Sequence, residues 1–197
     1  MIYKKVIGVL AYQGDVREHI QATQVSVKNL RRNIKVIPVR SKQDVHTIDA
    51  LIIPGGESTT LAKLCEREGI FEDIKGLKFI FGTCAGAIML AKTIYHREKD
   101  QKTLELMDIE IDRNAYGRQA ESFEIPIKTT LGSINAVFIR APKIKKIGNG
   151  VKLLAKMNKE IIACEQKTES SYYLATCFHP ELSSGLFHEY FLKKIYS

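Results

Sequence analysis

The chain has 197 residues, 45% of them hydrophobic and 26% charged, with a formal net charge of +8. That length suits one domain, and no apolar run approaches the roughly 20 residues that a membrane-spanning helix needs. Four widely separated cysteines do not make a disulfide scaffold in a chain this large. The positive charge admits an anionic partner. However, its densest stretch, Lys143-Ile144-Lys145-Lys146, has no interleaved aromatic residues and no nucleic-acid motif, so it reads as a solvated loop.

Residues 6–11 are an apolar run expected as a buried strand. Asp15 and Glu18 have capping-box spacing and open a helix with Ile20, Val27 and Leu30 as its apolar positions. Residues 34–39 and 50–53 are the next strands. Pro54-Gly55-Gly56-Glu57-Ser58 is a turn, with Ser58 as N-cap of a helix that runs through Glu68 and ends at Gly69. Residues 79–81 form a strand leading into Cys84. This alternation predicts a parallel sheet with helices on both faces. The second half differs. Residues 104–111, 121–127, 136–139, 151–155, 161–166 and 173–178 read as short strands, and residues 186–195 as a closing amphipathic helix. No linker or repeat interrupts residues 1–197, so one domain is expected. The first residues run straight into a strand without a leader pattern, which predicts a cytoplasmic chain.

The most informative segment is Gly82-Thr83-Cys84-Ala85-Gly86. A cysteine between small residues, after an apolar strand and before an apolar stretch at helix spacing, is the pattern of a sharp turn that lifts a nucleophile over a helix N-terminus. Such a thiol needs a base, and Phe178-His179-Pro180-Glu181 supplies a histidine with a carboxylate beside it. In a parallel sheet, ligands bind beyond the carboxyl ends of the strands. The glycine turn, the cysteine turn and the segment after Phe178 all fall there. Cys84 is thus the expected nucleophile, His179 the base and Glu181 its orienting group, with the N–H groups of Ala85 and Gly56 as oxyanion donors. Cys65, Cys164 and Cys177 read as core residues. His19, His46, His96 and His188 read as surface or structural residues. A zinc site built from Cys84, Cys177, His179 and Glu181 is disfavoured, because the spacing is not that of zinc modules.

With these residues in place, the sequence resembles the class I, triad-type glutamine amidotransferases over nearly its whole length. Within them it resembles the glutaminase subunits of pyridoxal 5′-phosphate synthase. The class is carried by Gly82-Thr83-Cys84-Ala85-Gly86 and Phe178-His179-Pro180-Glu181-Leu182. The narrower likeness is carried by Tyr12-Gln13-Gly14, Arg17-Glu18-His19, Gly56-Glu57-Ser58-Thr59-Thr60, Arg113-Asn114-Ala115-Tyr116-Gly117-Arg118-Gln119, Glu121-Ser122-Phe123 and Phe138-Ile139-Arg140-Ala141-Pro142. The resemblance implies a three-layer, flavodoxin-like α/β fold with a mostly parallel central sheet and antiparallel strands added in the C-terminal half. It implies that Cys84, His179 and Glu181 form the triad. Gly56, Glu57, Ser58, Arg113, Ile139 and Arg140 would contact L-glutamine, and Gln13 and Gly14 would respond to a partner. No metal or cofactor is implied. That partner is the synthase subunit of pyridoxal 5′-phosphate synthase, in a hetero-oligomeric complex, which uses the ammonia with a pentose phosphate and a triose phosphate. The hydrolase fold uses up the chain, leaving no length for an ammonia-consuming domain. Two rival readings are a glutaminase that serves a different synthase and a redox-sensing protein of the same architecture with Cys84 as sensor.

Overall fold

A computed structural model describes residues 4–114 and 122–196. Residues 115–119 of the arginine-led run and Glu121 lie outside the described residues. The elements in chain order are β1 (Lys5–Leu10), α1 (Val16–Asn29), β2 (Ile34–Val39), α2 (Lys42–His46), β3 (Ala50–Ile53), α3 (Ser58–Arg67), α4 (Phe71–Lys75), β4 (Phe79–Thr83), α5 (Ala85–Leu90), β5 (Ala91–Tyr95) and β6 (Met107–Asp112). They continue with β7 (Phe123–Thr129), β8 (Gly132–Phe138), β9 (Lys143–Ile147), β10 (Val151–Met157), β11 (Glu160–Lys167), β12 (Tyr172–Thr176), a 3-10 turn (Pro180–Leu182) and α6 (Leu186–Lys194).

The sheet runs β2-β1-β3-β4-β12-β11-β10-β7-β8. From β2 to β12 every pairing is parallel. From β12 outward to β8 every pairing is antiparallel. The parallel half is covered on both faces, so its central strands are apolar: all four residues of β3 are fully buried, while the edge strand β2 exposes Lys35. α1 packs against α6, while α3 packs against α4 and α5. Phe81 of β4 anchors the α1–α6 side, with its ring centroid 5.6 Å from Phe191 and 5.5 Å from His188. The chain order reverses direction across the sheet between β1 and β3, the crevice where α/β sheets bind ligands.

Two readings are corrected and two are refined. The basic stretch at Lys143 is not a loop but β9, paired antiparallel with β6. Lys146 stands 3.3 Å from Glu110 across that pair, so opposite charges steady a strand without a clean apolar pattern. The helix after Cys84 has only six residues and passes directly into β5. In α1 the fully buried positions are His19, Thr23 and Ser26, whereas Ile20, Val27 and Leu30 are only partly buried against the core. The helix thus turns a polar stripe inward. Finally, Glu57 rather than Ser58 caps α3: its carboxylate accepts hydrogen bonds from the N–H groups of Thr59 and Thr60.

Candidate active site

A cleft of about 920 Å³ opens at the carboxyl ends of the parallel strands. It is lined by Gly14 and Asp15 after β1, by Gly56, Glu57 and Ser58 after β3, and by Cys84 and Ala85 after β4. Arg113 after β6, Ile139 and Arg140 after β8, and His179 after β12 complete it. Every residue expected from the sequence to act on or hold the ligand lines this cleft except Glu181, which stands behind His179. Gln13 does not line it but touches the glycine turn. Its Nε2 donates to the Glu57 carbonyl.

The backbone at Cys84 has φ 49° and ψ −105°, a conformation that a residue with a side chain adopts only under constraint. Two close backbone approaches impose it. A Cβ on Gly86 would lie 2.0 Å from the Ile53 carbonyl oxygen, and one on Gly82 would lie 2.4 Å from the Gly86 carbonyl oxygen. Both glycines of the motif are therefore required by packing. The Cys84 N–H is spent on the Thr176 carbonyl at 2.8 Å, whereas Ala85 opens the helix, where an N–H has no intrahelical acceptor. Cys84 is 5% exposed, and its Sγ sits 3.8 Å from the Ile139 carbonyl oxygen. Cys84, the expected nucleophile, is thus set into the wall of the cleft and largely buried.

The other thiols behave as the sequence indicated. Burial pushes Cys65 and Cys164 up to about 12 and Cys177 well above its ordinary value. They stay protonated and unreactive.

His179 is 3% exposed, and its Nδ1 lies 2.7 Å from Glu181 Oε1. A second carboxylate, that of Asp15, approaches the same nitrogen at 3.0 Å. Burial works against charge on His179, but interactions with Asp15, Cys84 and Glu181 overcome it and raise its proton affinity. With Nδ1 taken by carboxylates, Nε2 is the nitrogen left for the thiol. It is buried and has no hydrogen-bond partner. Burial also disfavours charge on Glu181, yet the hydrogen bond with His179 and the nearby His19 ring hold its carboxyl well below the usual range. Asp15 occupies the N-cap of α1 but makes no capping bond, contrary to the capping-box expectation. Its carboxylate is used on His179 instead. Among the described residues, Asp15, His179 and Glu181 are the group with metal-ligand spacing. The set disfavoured from the sequence, Cys84 and Cys177 with His179 and Glu181, is not such a group, since the Cys177 thiol is buried and faces the Ile161 carbonyl.

Opposite the nucleophile, Arg113 donates to Glu57 Oε1 at 3.0 Å, to Thr59 Oγ1 at 3.0 Å and to Gln101 Oε1 at 2.9 Å. Gln101, fully buried, also donates to Ser58 Oγ at 2.9 Å. The sequence offered no sign of Gln101, which lies in a charged stretch. Asp15 was read only as a cap. His19 and His188 were read as weak, but both are fully buried.

The SNO glutamine amidotransferase family profile matches residues 9–197. The chain belongs to the SNO glutamine amidotransferase family. It is 43% identical to a pyridoxal 5′-phosphate synthase subunit PdxT of Pyrococcus horikoshii, over 96% of this chain and 98% of the relative. It is 45% identical to the subunit of the same name in Oenococcus oeni, over 95% of each chain. A solved structure of a glutamine amidotransferase superposes with a TM-score of 0.83 at 41% identity, covering 97% of this chain and 99% of that one. A structure described as a GMP synthase subunit from Thermoplasma acidophilum superposes with a TM-score of 0.64 at 15% identity, covering 99% of this chain and 94% of that one, a likeness of fold alone.

Proposed function

We propose that this amidotransferase is the glutaminase subunit of a pyridoxal 5′-phosphate synthase. It hydrolyses L-glutamine to L-glutamate and ammonia and passes the ammonia to a separate synthase subunit. The observation that carries the reading is the convergence, in one cleft, of a cysteine in a constrained turn and a histidine whose Nδ1 is held by carboxylates. The names borne by relatives at 43–45% identity over nearly equal length supply the partner.

The chemistry follows from the geometry. His179 Nε2 takes the Cys84 proton, and the thiolate attacks the side-chain amide carbon of glutamine. The N–H groups of Ala85 and Gly56 receive the oxyanion. As the C–N bond breaks, His179 returns the proton to the leaving nitrogen and ammonia departs, leaving a thioester on Cys84. Water then attacks the thioester with its proton passing to His179, and that proton returns to the thiolate as glutamate leaves. Glu181 stays ionised throughout and stabilises the imidazolium. Arg113, Glu57 and Ser58 recognise the charged amino-acid end of the substrate.

The glycine turn is where control enters. A Cβ on Gly14, at φ 82°, would lie 1.8 Å from the Gly55 carbonyl oxygen, so that carbonyl packs directly on Gly14. The Gly56 N–H points the opposite way from the same peptide unit. Movement of Gln13-Gly14 therefore turns the peptide that carries an oxyanion donor, and Gly56 at φ 132° can follow it as no other residue could. We expect a synthase subunit docked on this segment to switch the enzyme on, because one oxyanion donor is worth about 10²–10³ in kcat.

The test feeds amide-labelled glutamine to the two subunits with a pentose phosphate and a triose phosphate. Label in the pyridine nitrogen of the product is expected, with a glutaminase rate that rises on mixing. Hydrolysis without transfer would point to a different synthase, and absence of hydrolysis in the complex would contradict the reading.

A further inference from the structure

Two histidines that the reaction does not use lie directly behind Glu181. His19 of α1 and His188 of α6 have no exposed surface. A buried imidazole costs free energy unless its nitrogens are partnered, so two of them side by side at the back of a catalytic carboxylate need a reason. His19 Nδ1 lies 3.0 Å from His188 Nε2. His19 Nε2 lies 3.0 Å from Thr83 Oγ1 and 3.2 Å from Glu181 Oε2. Glu181 Oε2 meets no hydrogen bond of regular geometry. The single N–H of Nε2 is therefore bonded to Thr83 and drawn to Oε2. It links the residue before the nucleophile to the carboxylate behind the base.

The proton positions follow from these contacts. A bare Nε2 on His19 would set its lone pair against the carboxylate at 3.2 Å, so Nε2 carries a proton. Burial, with the neighbouring His19, pushes His188 down to about 3 and keeps it neutral. His188 donates through Nε2 to His19 Nδ1, which holds the His19 proton on the far nitrogen. His188 Nδ1 is then the bare atom left over, and it is the atom without a partner.

We propose that His19 is a positioning residue of the glutaminase reaction. It fixes the Glu181 carboxylate against His179, and His188 locks the tautomer that lets it do so. The groups that face His179 are Asp15, Glu181 and Cys84. Of these Glu181 has its far oxygen beside His19, so loss of His19 acts through Glu181.

This rests on the triad reading, and the two are tested apart. Nitrogen-15 NMR of the wild-type side chains near neutral pH reads the tautomers without any variant. Both His19 and His188 are expected as Nε2–H forms, and an Nδ1–H form of His19 overturns the proposal even if every variant fails to fold. In the complex with the synthase subunit, His19→Asn keeps an acceptor, its amide oxygen, near the Nδ1 position and loses the donor facing Glu181. It is expected to lower kcat about tenfold with KM changed by less than about twofold. His19→Gln, whose amide reaches the Nε2 position, should restore most of that rate. In a Glu181→Gln background, His19→Asn should cost nothing more. Equal losses in His19→Asn and His19→Gln, or a loss that adds to that of Glu181→Gln, overturn the positioning role and leave the triad standing. A Cys84→Ala variant that still hydrolyses glutamine overturns the triad instead.

Discussion

Two strand-to-helix turns at the carboxyl ends of the neighbouring strands β3 and β4 line the cleft, and they are built on opposite principles. After β4, Cys84 and its neighbours are buried, and backbone atoms of Ile53 and Gly86 leave no space for even one methyl group. After β3, Gly56 and Glu57 are exposed, and Gly56 takes a φ of 132° that leaves its peptide free to turn. The first turn is over-determined and stores strain on the nucleophile. The second has its Glu57 tied down by Thr59, Thr60 and Arg113, but its Gly55-Gly56 peptide rests on Gln13 and Gly14 at the surface. On the proposed mechanism, rigidity is placed where the attacking sulfur must not move, and freedom where a hydrogen-bond donor is to be supplied on docking.

The largest effect expected is on chemistry alone. Cys84→Ala should reduce glutamine hydrolysis by about 10⁴-fold or more, since nucleophile and base act as a unit, while its unfolding free energy stays within about 1 kcal/mol of wild type. Single-turnover thioester formation and urea unfolding on the same variant check both halves. The paired substitutions Gly86→Ala and Gly56→Ala test the contrast itself. Gly86→Ala should cost about 3 kcal/mol or more, because rigid backbone cannot give way. Gly56→Ala should cost less, about 1–2 kcal/mol of backbone strain, yet lower kcat about 10²-fold in the complex. If denaturant midpoints and rates ranked the two glycines the other way, the division between a rigid and an adaptable turn would be wrong.

Much of this was legible in the sequence, for a physical reason. The parallel half is buried on both faces, so its strands appear as continuous apolar runs, and the turns between them carry glycines that packing demands. The less regular features were hidden. β9 reads Lys-Ile-Lys-Lys-Ile because it leans on acidic residues of β6, far away in sequence. His19 was read no more closely than as a surface or structural residue, because its partner His188 lies 169 positions later. Asp15 looked like a helix cap because capping is what aspartate does at that position; only the fold reveals that its carboxylate has been diverted to His179.

Asp15→Asn refines the picture with a smaller effect. Asp15 raises the proton affinity of His179, so its loss should move the limb of the pH–rate profile that belongs to His179 toward lower pH. The rate at the optimum should change by less than about tenfold, because Glu181 still orients the ring. An unshifted profile would make the contact merely structural.

The smallest effect concerns stability against pH. His188 stays neutral in the fold down to about 3, whereas its ordinary value is 6.5. Between those values the unfolded chain binds the extra proton, so the folded state loses stability as pH falls through that window. His188→Gln should flatten the fall measured by urea midpoints between pH 6.5 and 4. An unchanged slope would mean that His188 takes up a proton inside the fold.

The central claim is that Cys84, alone among four free cysteines, is the nucleophile. Mass spectrometry of the two-subunit complex after treatment with a glutamine-mimicking alkylator tests it most directly. One adduct per chain, confined to the peptide that carries Cys84 and accompanied by loss of glutaminase activity, is the predicted result. Full inactivation with the adduct on Cys65, Cys164 or Cys177 would contradict it, as would stoichiometric labelling of Cys84 with activity intact.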